Sequence, residues 1–126
     1  MPDKILIVDD SPTVRRFLAH TLKPRGYRLI EASDGFEALE KLALNPDTAL
    51  VISDLNMPNM DGLELVGNIR TNAEFRDLPI IMLTTEDSSE NRQLAHRAGA
   101  DLYLVKPAPS HMILFKVESL LLARAS

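Results

Sequence analysis

The stretch Ile5-Leu6-Ile7-Val8-Asp9-Asp10-Ser11-Pro12 decides the fold. Its four apolar residues, three of them β-branched, are too few for an independent helix and read as a strand buried on both faces. Two carboxylates end that strand, and Ser11-Pro12 then reads as an N-cap followed by proline at the first helical position. Three more runs follow the same plan: Leu50-Val51-Ile52, Ile80-Ile81-Met82-Leu83 and Leu102-Tyr103-Leu104-Val105 run out at Asp54, Thr84 and Lys106. Stretches of helical length separate them, and such alternation predicts an α/β fold, a doubly wound parallel sheet with helices on both faces and right-handed crossovers. Parallel strands bring their carboxyl ends to one edge. Ligands of such sheets bind there, where the strand order reverses, so Asp9, Asp10, Asp54, Thr84 and Lys106 are expected to share one site.

Helix punctuation supports the alternation. Val14, Phe17, Leu18 and Leu22 form one apolar stripe of a first helix that stops near Gly26. Asp34 with Glu37, Asp61 with Glu64 and Asp87 with Glu90 have the three-residue spacing of a capping box and place the next three helix starts, so capping is the preferred role of these aspartates. Gly99 is a left-handed stop for the fourth helix. Ser110 is expected to cap a last helix with an inward stripe of Ile113, Val117, Leu120 and Leu121. The more polar strand Arg28-Leu29-Ile30-Glu31-Ala32 suits a sheet edge. The chain has no repeat, linker or low-complexity segment.

At 126 residues, 45% hydrophobic and 25% charged, the chain has the size and composition of one folded domain, residues 1–126. A net charge of -4, with fourteen scattered Lys and Arg residues, gives no electrostatic reason to approach nucleic acid or an anionic membrane. The lack of cysteine excludes disulfides and thiol chemistry. No run reaches the ~20 apolar residues of a membrane span, and the amino terminus is unlike a signal peptide, so a cytoplasmic location is the expectation.

Adjacent carboxylates Asp9 and Asp10 near Asp54 would repel one another and raise their own pKa values without a cation between them. All-oxygen ligation suits a hard divalent ion, and a site that also takes a phosphoryl oxygen suits Mg2+. His20, His96 and His111 lack ligand-like spacing and read as surface residues. A carboxylate beside Mg2+ can attack phosphorus to give an acyl phosphate, which makes Asp54 the candidate nucleophile. Lys106 would bring a point charge and Thr84 a hydroxyl to the phosphoryl oxygens, the positioning that phosphoryl transfer mainly requires.

The segments Ile7-Val8-Asp9-Asp10-Ser11, Ser53 to Gly62, Leu83-Thr84-Thr85-Glu86 and Ala100 to Pro107 resemble those of bacterial two-component response-regulator receiver domains, and around Asp54 the match is closest to the CheY-like single-domain type. The resemblance implies a flavodoxin-like five-stranded sheet of order 2-1-3-4-5 with five helices. It implies that Asp54 accepts a phosphoryl group from a sensor histidine kinase, with Mg2+ held by Asp9, Asp10, Asp54 and the backbone carbonyl of Asn56. Thr84 and Lys106 then bind the phosphoryl oxygens, and Tyr103 turns inward, reshaping a surface of the fourth helix, fifth strand and fifth helix for a downstream protein target. The outcome is a switch rather than a turnover enzyme. It also implies that Asn56 and Glu86 tune the lifetime of the acyl phosphate towards the short side, and that the Lys106–Pro107 bond is cis.

Three departures carry their own expectations. Thr85 stands where the family usually has a smaller residue and would narrow access to the site. Ala108-Pro109 replaces a common aromatic residue, shifting the start of the last helix. Phe115 and Leu122, with Met112 and Leu114, add apolar surface to that helix, which leaves a partner contact, a monomer or a weak homodimer on phosphorylation all open. A phosphatase with an aspartyl nucleophile needs an Asp-x-Asp motif that Asp9-Asp10-Ser11 lacks, and a flavin carrier needs a glycine-containing phosphate loop absent after the first strand. A receiver cut from a longer regulator, with an output domain beyond Ser126, fits the motifs as well, as does an interaction module independent of phosphorylation.

Overall fold

The computed structural model describes residues 3–125. Five strands, β1 (Lys4–Val8), β2 (Arg28–Ala32), β3 (Thr48–Ser53), β4 (Ile80–Thr84) and β5 (Leu102–Val105), form one parallel sheet of order β2-β1-β3-β4-β5. They alternate with α1 (Pro12–Leu22), α2 (Gly35–Leu44), α3 (Gly62–Thr71), α4 (Ser89–Ala98) and α5 (Ser110–Ala125). The sheet is the flavodoxin-like one that the motifs imply.

The two-residue period of the strands divides the core into two layers. Leu6, Val8, Val51, Ile80 and Met82 face α2, α3 and α4 through Ala38, Leu42, Leu65, Val66, Ile69 and Ala95. Ile5, Ile7, Leu50, Ile52, Ile81 and Leu83 face α1 and α5 through Leu18, Leu22, Ile113 and Val117. Both faces being apolar, β1, β3 and β4 are buried along their apolar lengths. At roughly 1.5–3 kcal/mol for each fully buried Leu or Ile, these layers dominate the stability of the fold. In contrast with the sequence expectation, β5 is only half-buried, because it is the outer strand with no neighbour beyond it.

The helix starts follow the caps, with two corrections. Ser11 accepts from the Val14 N–H with Pro12 behind it, Asp34 accepts from Glu37 at 2.9 Å and Asp61 from Glu64 at 2.8 Å. At α4 the cap is Ser88, which accepts from Asn91 at 3.0 Å. Asp87 instead pairs with Arg92 at 2.9 Å: the chain has a second cap candidate one residue on, and the exposed Asp87 side chain finds a guanidinium. At α5 the first intrahelical acceptor is the Pro109 carbonyl, which takes the Ile113 N–H at 3.1 Å, while the Ser110 hydroxyl lies 3.1 Å from that of Thr21. Ser110 therefore ties α5 to α1 rather than capping it.

Gly99 ends α4 at φ 119°, with its N–H shared between the Ala95 and His96 carbonyls. Phe17, expected in the inward stripe of α1, is 40% exposed at the flank of that helix. Leu114 of α5 packs partly against the core, so it does not belong to the exposed apolar surface; Met112, Phe115 and Leu122 do. The Lys106–Pro107 bond is cis. No described helix is long and apolar enough to cross a membrane.

Candidate functional site

Strand register assembles the site. Val8 of β1 pairs with Ser53 of β3, so the next residues, Asp9 and Asp54, leave the sheet side by side on either side of the point where the strand order reverses. The Asp9 N–H donates to the Ala32 carbonyl at 3.0 Å and the Asp54 N–H to the Val8 carbonyl at 2.9 Å, which fixes both backbones. Thr84 pairs with Val105, and the Lys106 N–H donates to the Thr84 carbonyl at 2.8 Å. From there Lys106 Nζ reaches back across the sheet edge to donate to Asp9 Oδ2 at 2.8 Å and lies 3.5 Å from Asp54 Oδ2. Gly62 at the start of α3 lets the chain after Asp54 close up: its N–H donates to the Leu55 carbonyl at 2.7 Å, and any Cβ there would meet the Asp54 carbonyl oxygen.

Asp9 and Asp54 are buried, 3% and 9% exposed, while Asp10 faces solvent. One carboxylate oxygen from each of the three lies within 4.8 Å of the others. Burial pushes the Asp54 carboxyl pKa up, and the Asp9 charge pushes the same way. Lys106, the Leu55 N–H at 2.7 Å from Oδ1 and the Thr84 hydroxyl oppose that rise. Three carboxylates thus face one ammonium, and two negative charges stay unbalanced when all are ionised. The donor set is oxygen only and open to solvent on the Asp10 side, which fits a hard divalent cation that keeps some of its water.

The rim is a connected set. Thr84 is buried, and its Oγ1 accepts from the Glu86 N–H at 3.3 Å. Asn56 Nδ2 donates to Glu86 Oε1 at 2.9 Å, bridging the loop after β3 and the loop after β4 across the mouth of the site. The Tyr103 hydroxyl donates to the Glu86 carbonyl at 2.7 Å, with the Arg92 guanidinium 5.1 Å from the ring centre. Thr85 is exposed on the same rim. Phe115 and Leu122 are 64% and 70% exposed on α5 and take no part in this network. His20, His96 and His111 are exposed.

The response regulator receiver domain model matches residues 5–118. The chain belongs to the receiver domain family. It is 44% identical over 119 residues to chemotaxis protein CheY1 of Helicobacter pylori, covering 94% of this chain and 96% of that one. To the chemotaxis protein CheY homolog of Campylobacter jejuni the identity is 42% over 119 residues, with 94% and 92% covered. Among solved structures, chemotaxis protein CheY4 of Vibrio cholerae superposes with a TM-score of 0.90 at 39% identity, covering 95% of this chain and 99% of that one. A two-component response regulator from Clostridium difficile gives a TM-score of 0.92 at 27% identity, with 98% and 99% covered. The chain is thus a receiver domain of the two-component type with chemotaxis relatives.

All five residues singled out at the strand ends of this receiver meet at one sheet edge. Their supporting contacts reach outside the motifs. Arg15 donates from Nη1 to the Asp9 carbonyl at 2.6 Å and from Nε to Glu31 Oε1 at 3.1 Å. Asn59, at φ 70°, donates to Asp34 Oδ2 at 3.1 Å and pins the loop after Asp54 to the start of α2. For Asn59 the signal was present, since asparagine is among the few residues that enter the left-handed region readily. The bond of Arg15 to Glu31 has no sequence signature, because it joins α1 to β2, and the bond to Asp9, six residues back, depends on the turn between β1 and α1.

Proposed function

We propose that residues 1–126 act as a single phosphorylation-activated receiver: Asp54 takes a phosphoryl group from the phosphohistidine of a sensor histidine kinase in a Mg2+-dependent reaction. The observation that carries this reading is the buried Asp54 carboxylate, flanked by two more carboxylates and within ion-pair distance of Lys106. Asp54 Oδ forms the new P–O bond as the P–N bond to the donor imidazole breaks, leaving an aspartyl phosphate and a free imidazole ring. Water later cleaves that anhydride, releasing inorganic phosphate and restoring the carboxylate. Asp9, Asp10, Asp54 and the Asn56 carbonyl would hold Mg2+, which when bound neutralises the phosphoryl oxygens during transfer. Lys106 places its ammonium on the same oxygens, and Thr84 turns its hydroxyl to them and away from the Glu86 N–H. Apart from that inorganic phosphate, no small-molecule product is released.

The bond from Tyr103 to Glu86 supports a switch role. When Thr84 moves towards a phosphoryl oxygen it releases the Glu86 N–H, and the loop that anchors Tyr103 shifts with it. The surface of α4, β5 and α5 then changes its preferred arrangement, a population shift driven by contacts present only in the phosphorylated form. Asn56 and Glu86, already bonded to each other, set the access of water and hence the lifetime, and Thr85 narrows the same entrance. Phe115 and Leu122 are candidates for the partner-facing surface. The chemotaxis relatives make a motility component the favoured target in a cytoplasmic pathway.

Intact mass of wild type and Asp54→Asn, after incubation with a small-molecule phosphodonor with and without Mg2+, tests the reading. One phosphoryl increment that requires both Asp54 and Mg2+ is expected. No increment under any condition would refute phosphotransfer and leave an interaction module.

A further inference from the structure

Within the acid triad, Asp9 and Asp10 are held very differently. Asp9 is buried, its Oδ2 takes the Lys106 ammonium and its Oδ1 takes the Ser11 N–H at 2.9 Å. The Asp10 carboxylate, exposed to solvent, has neither a hydrogen-bond nor an ion-pair partner among the described residues. With no partner of its own, it is placed only as far as the Asp9–Asp10 peptide group sets its Cα–Cβ bond. Arg15 grips that group. Its Nη1 donates to the Asp9 carbonyl at 2.6 Å, its backbone N–H donates to the Ser11 carbonyl at 3.1 Å, and its Nε is anchored on Glu31 of β2 at 3.1 Å. The side chain is 20% exposed, so the grip is partly shielded from water.

We infer that Arg15 is a positioning residue for the cation site: it fixes the plane of the Asp9–Asp10 peptide so that the Asp10 carboxylate meets those of Asp9 and Asp54. A lone guanidinium beside three carboxylates would compete with a divalent ion. Glu31 offsets that charge, so the pair supplies geometry while changing the local electrostatic potential little. Arginine suits the task because its rigid planar fork holds a carbonyl and a carboxylate in a fixed geometry, whereas the rotatable ammonium of lysine imposes none. Groups that orient metal ligands commonly govern affinity by 10–100-fold.

The inference rests on the Mg2+ reading, and the test separates the two. Amide NMR of the full chain is followed during Mg2+ titration at fixed pH for wild type, Arg15→Ala and Arg15→Lys, beside melting curves in the absence of Mg2+. Arg15→Ala is expected to bind Mg2+ about tenfold more weakly, and Arg15→Lys, which keeps a donor for the Asp9 carbonyl, about threefold more weakly. Under saturating Mg2+ the Arg15→Ala protein regains the wild-type rate of phosphorylation, because the groups that touch phosphorus are intact. Wild-type affinity in Arg15→Ala overturns the inference while leaving the Mg2+ reading in place. So does equal weakening in both variants that tracks a shared fall in melting temperature, since that marks general loosening. A wild-type protein that binds no Mg2+ removes the reading and the inference together.

Discussion

At the carboxyl ends of the strands, among the described residues, Lys106 is the one cation ion-paired within the carboxylate cluster of Asp9, Asp10 and Asp54, with Asp9 and Asp54. At the amino ends of β4 and β5 the charges balance, one guanidinium to one carboxylate. There Arg70 of α3 donates to the carbonyls of Gly99, Phe75, Arg76 and Leu78 and to Asp101 Oδ2, the shortest contact being 2.7 Å to Leu78. Asp101 in turn accepts the Ile80 N–H at 2.8 Å, closing the start of β4. Every group in this second cluster has a partner within the fold, whereas the first holds charge that the fold does not neutralise. The lesson is that the Arg70 end is built for stability and the Asp54 end for a ligand, since unbalanced carboxylates are tolerated where something from outside completes them.

Substitutions at the two ends should therefore behave differently. The largest effect is expected for Arg70→Ala, which leaves the buried Leu78 carbonyl and that of Gly99 without partners and should lower stability by about 3 kcal/mol in urea denaturation. It should leave Mg2+ affinity unchanged; a loss of Mg2+ binding in that variant would break the distinction. Lys106→Ala should lower stability by about 2 kcal/mol at neutral pH, because Asp9 and Asp54 stay buried without their ammonium. Unlike the Arg70 deficit, this one should shrink as acid protonates the carboxylates, and melting curves at several pH values distinguish them.

Ligand and charge removal sharpen the same contrast. Mg2+ at ten times its Kd should stabilise the wild type by about 1.4 kcal/mol, and Arg70→Ala by the same increment. The smallest effect is a gain: Asp54→Asn should raise stability by about 1 kcal/mol at neutral pH. The sign follows from burial. A carboxyl whose pKa is raised on folding adds stability below its unfolded value, and that stability is lost as pH rises through the folded value, so ionised Asp54 opposes folding at neutral pH. The gain in Asp54→Asn should fade as pH drops towards the ordinary carboxylate range near ~4. A destabilised Asp54→Asn protein would contradict the view of this end as unbalanced.

Much of this was legible in the residues. Short apolar runs ending in Asp9, Asp54, Thr84 and Lys106 give the strands and the shared edge, since a strand's period and a parallel sheet's polarity are local rules. Asp34, Asp61 and Gly99 were readable for the same reason. Asp87 and Ser110 were misassigned because each had a competitor, Ser88 and the Pro109 carbonyl, that pattern alone does not rank. The half-burial of β5 depended on its having no neighbour on one side.

The sequence by itself determined which residues end the strands and which chemistry they bring, because hydrophobic periodicity and side-chain type act over a few neighbours. Only the tertiary structure decided how that chemistry is held. The reach of Lys106 to Asp9, the anchor of Arg15 on Glu31, the bridge from Asn56 to Glu86 and the bonds of Arg70 to Gly99 each join residues brought together by strand order and packing. A hydrogen bond needs its partners within about 3 Å, and no local pattern in the chain sets a distance across the sheet.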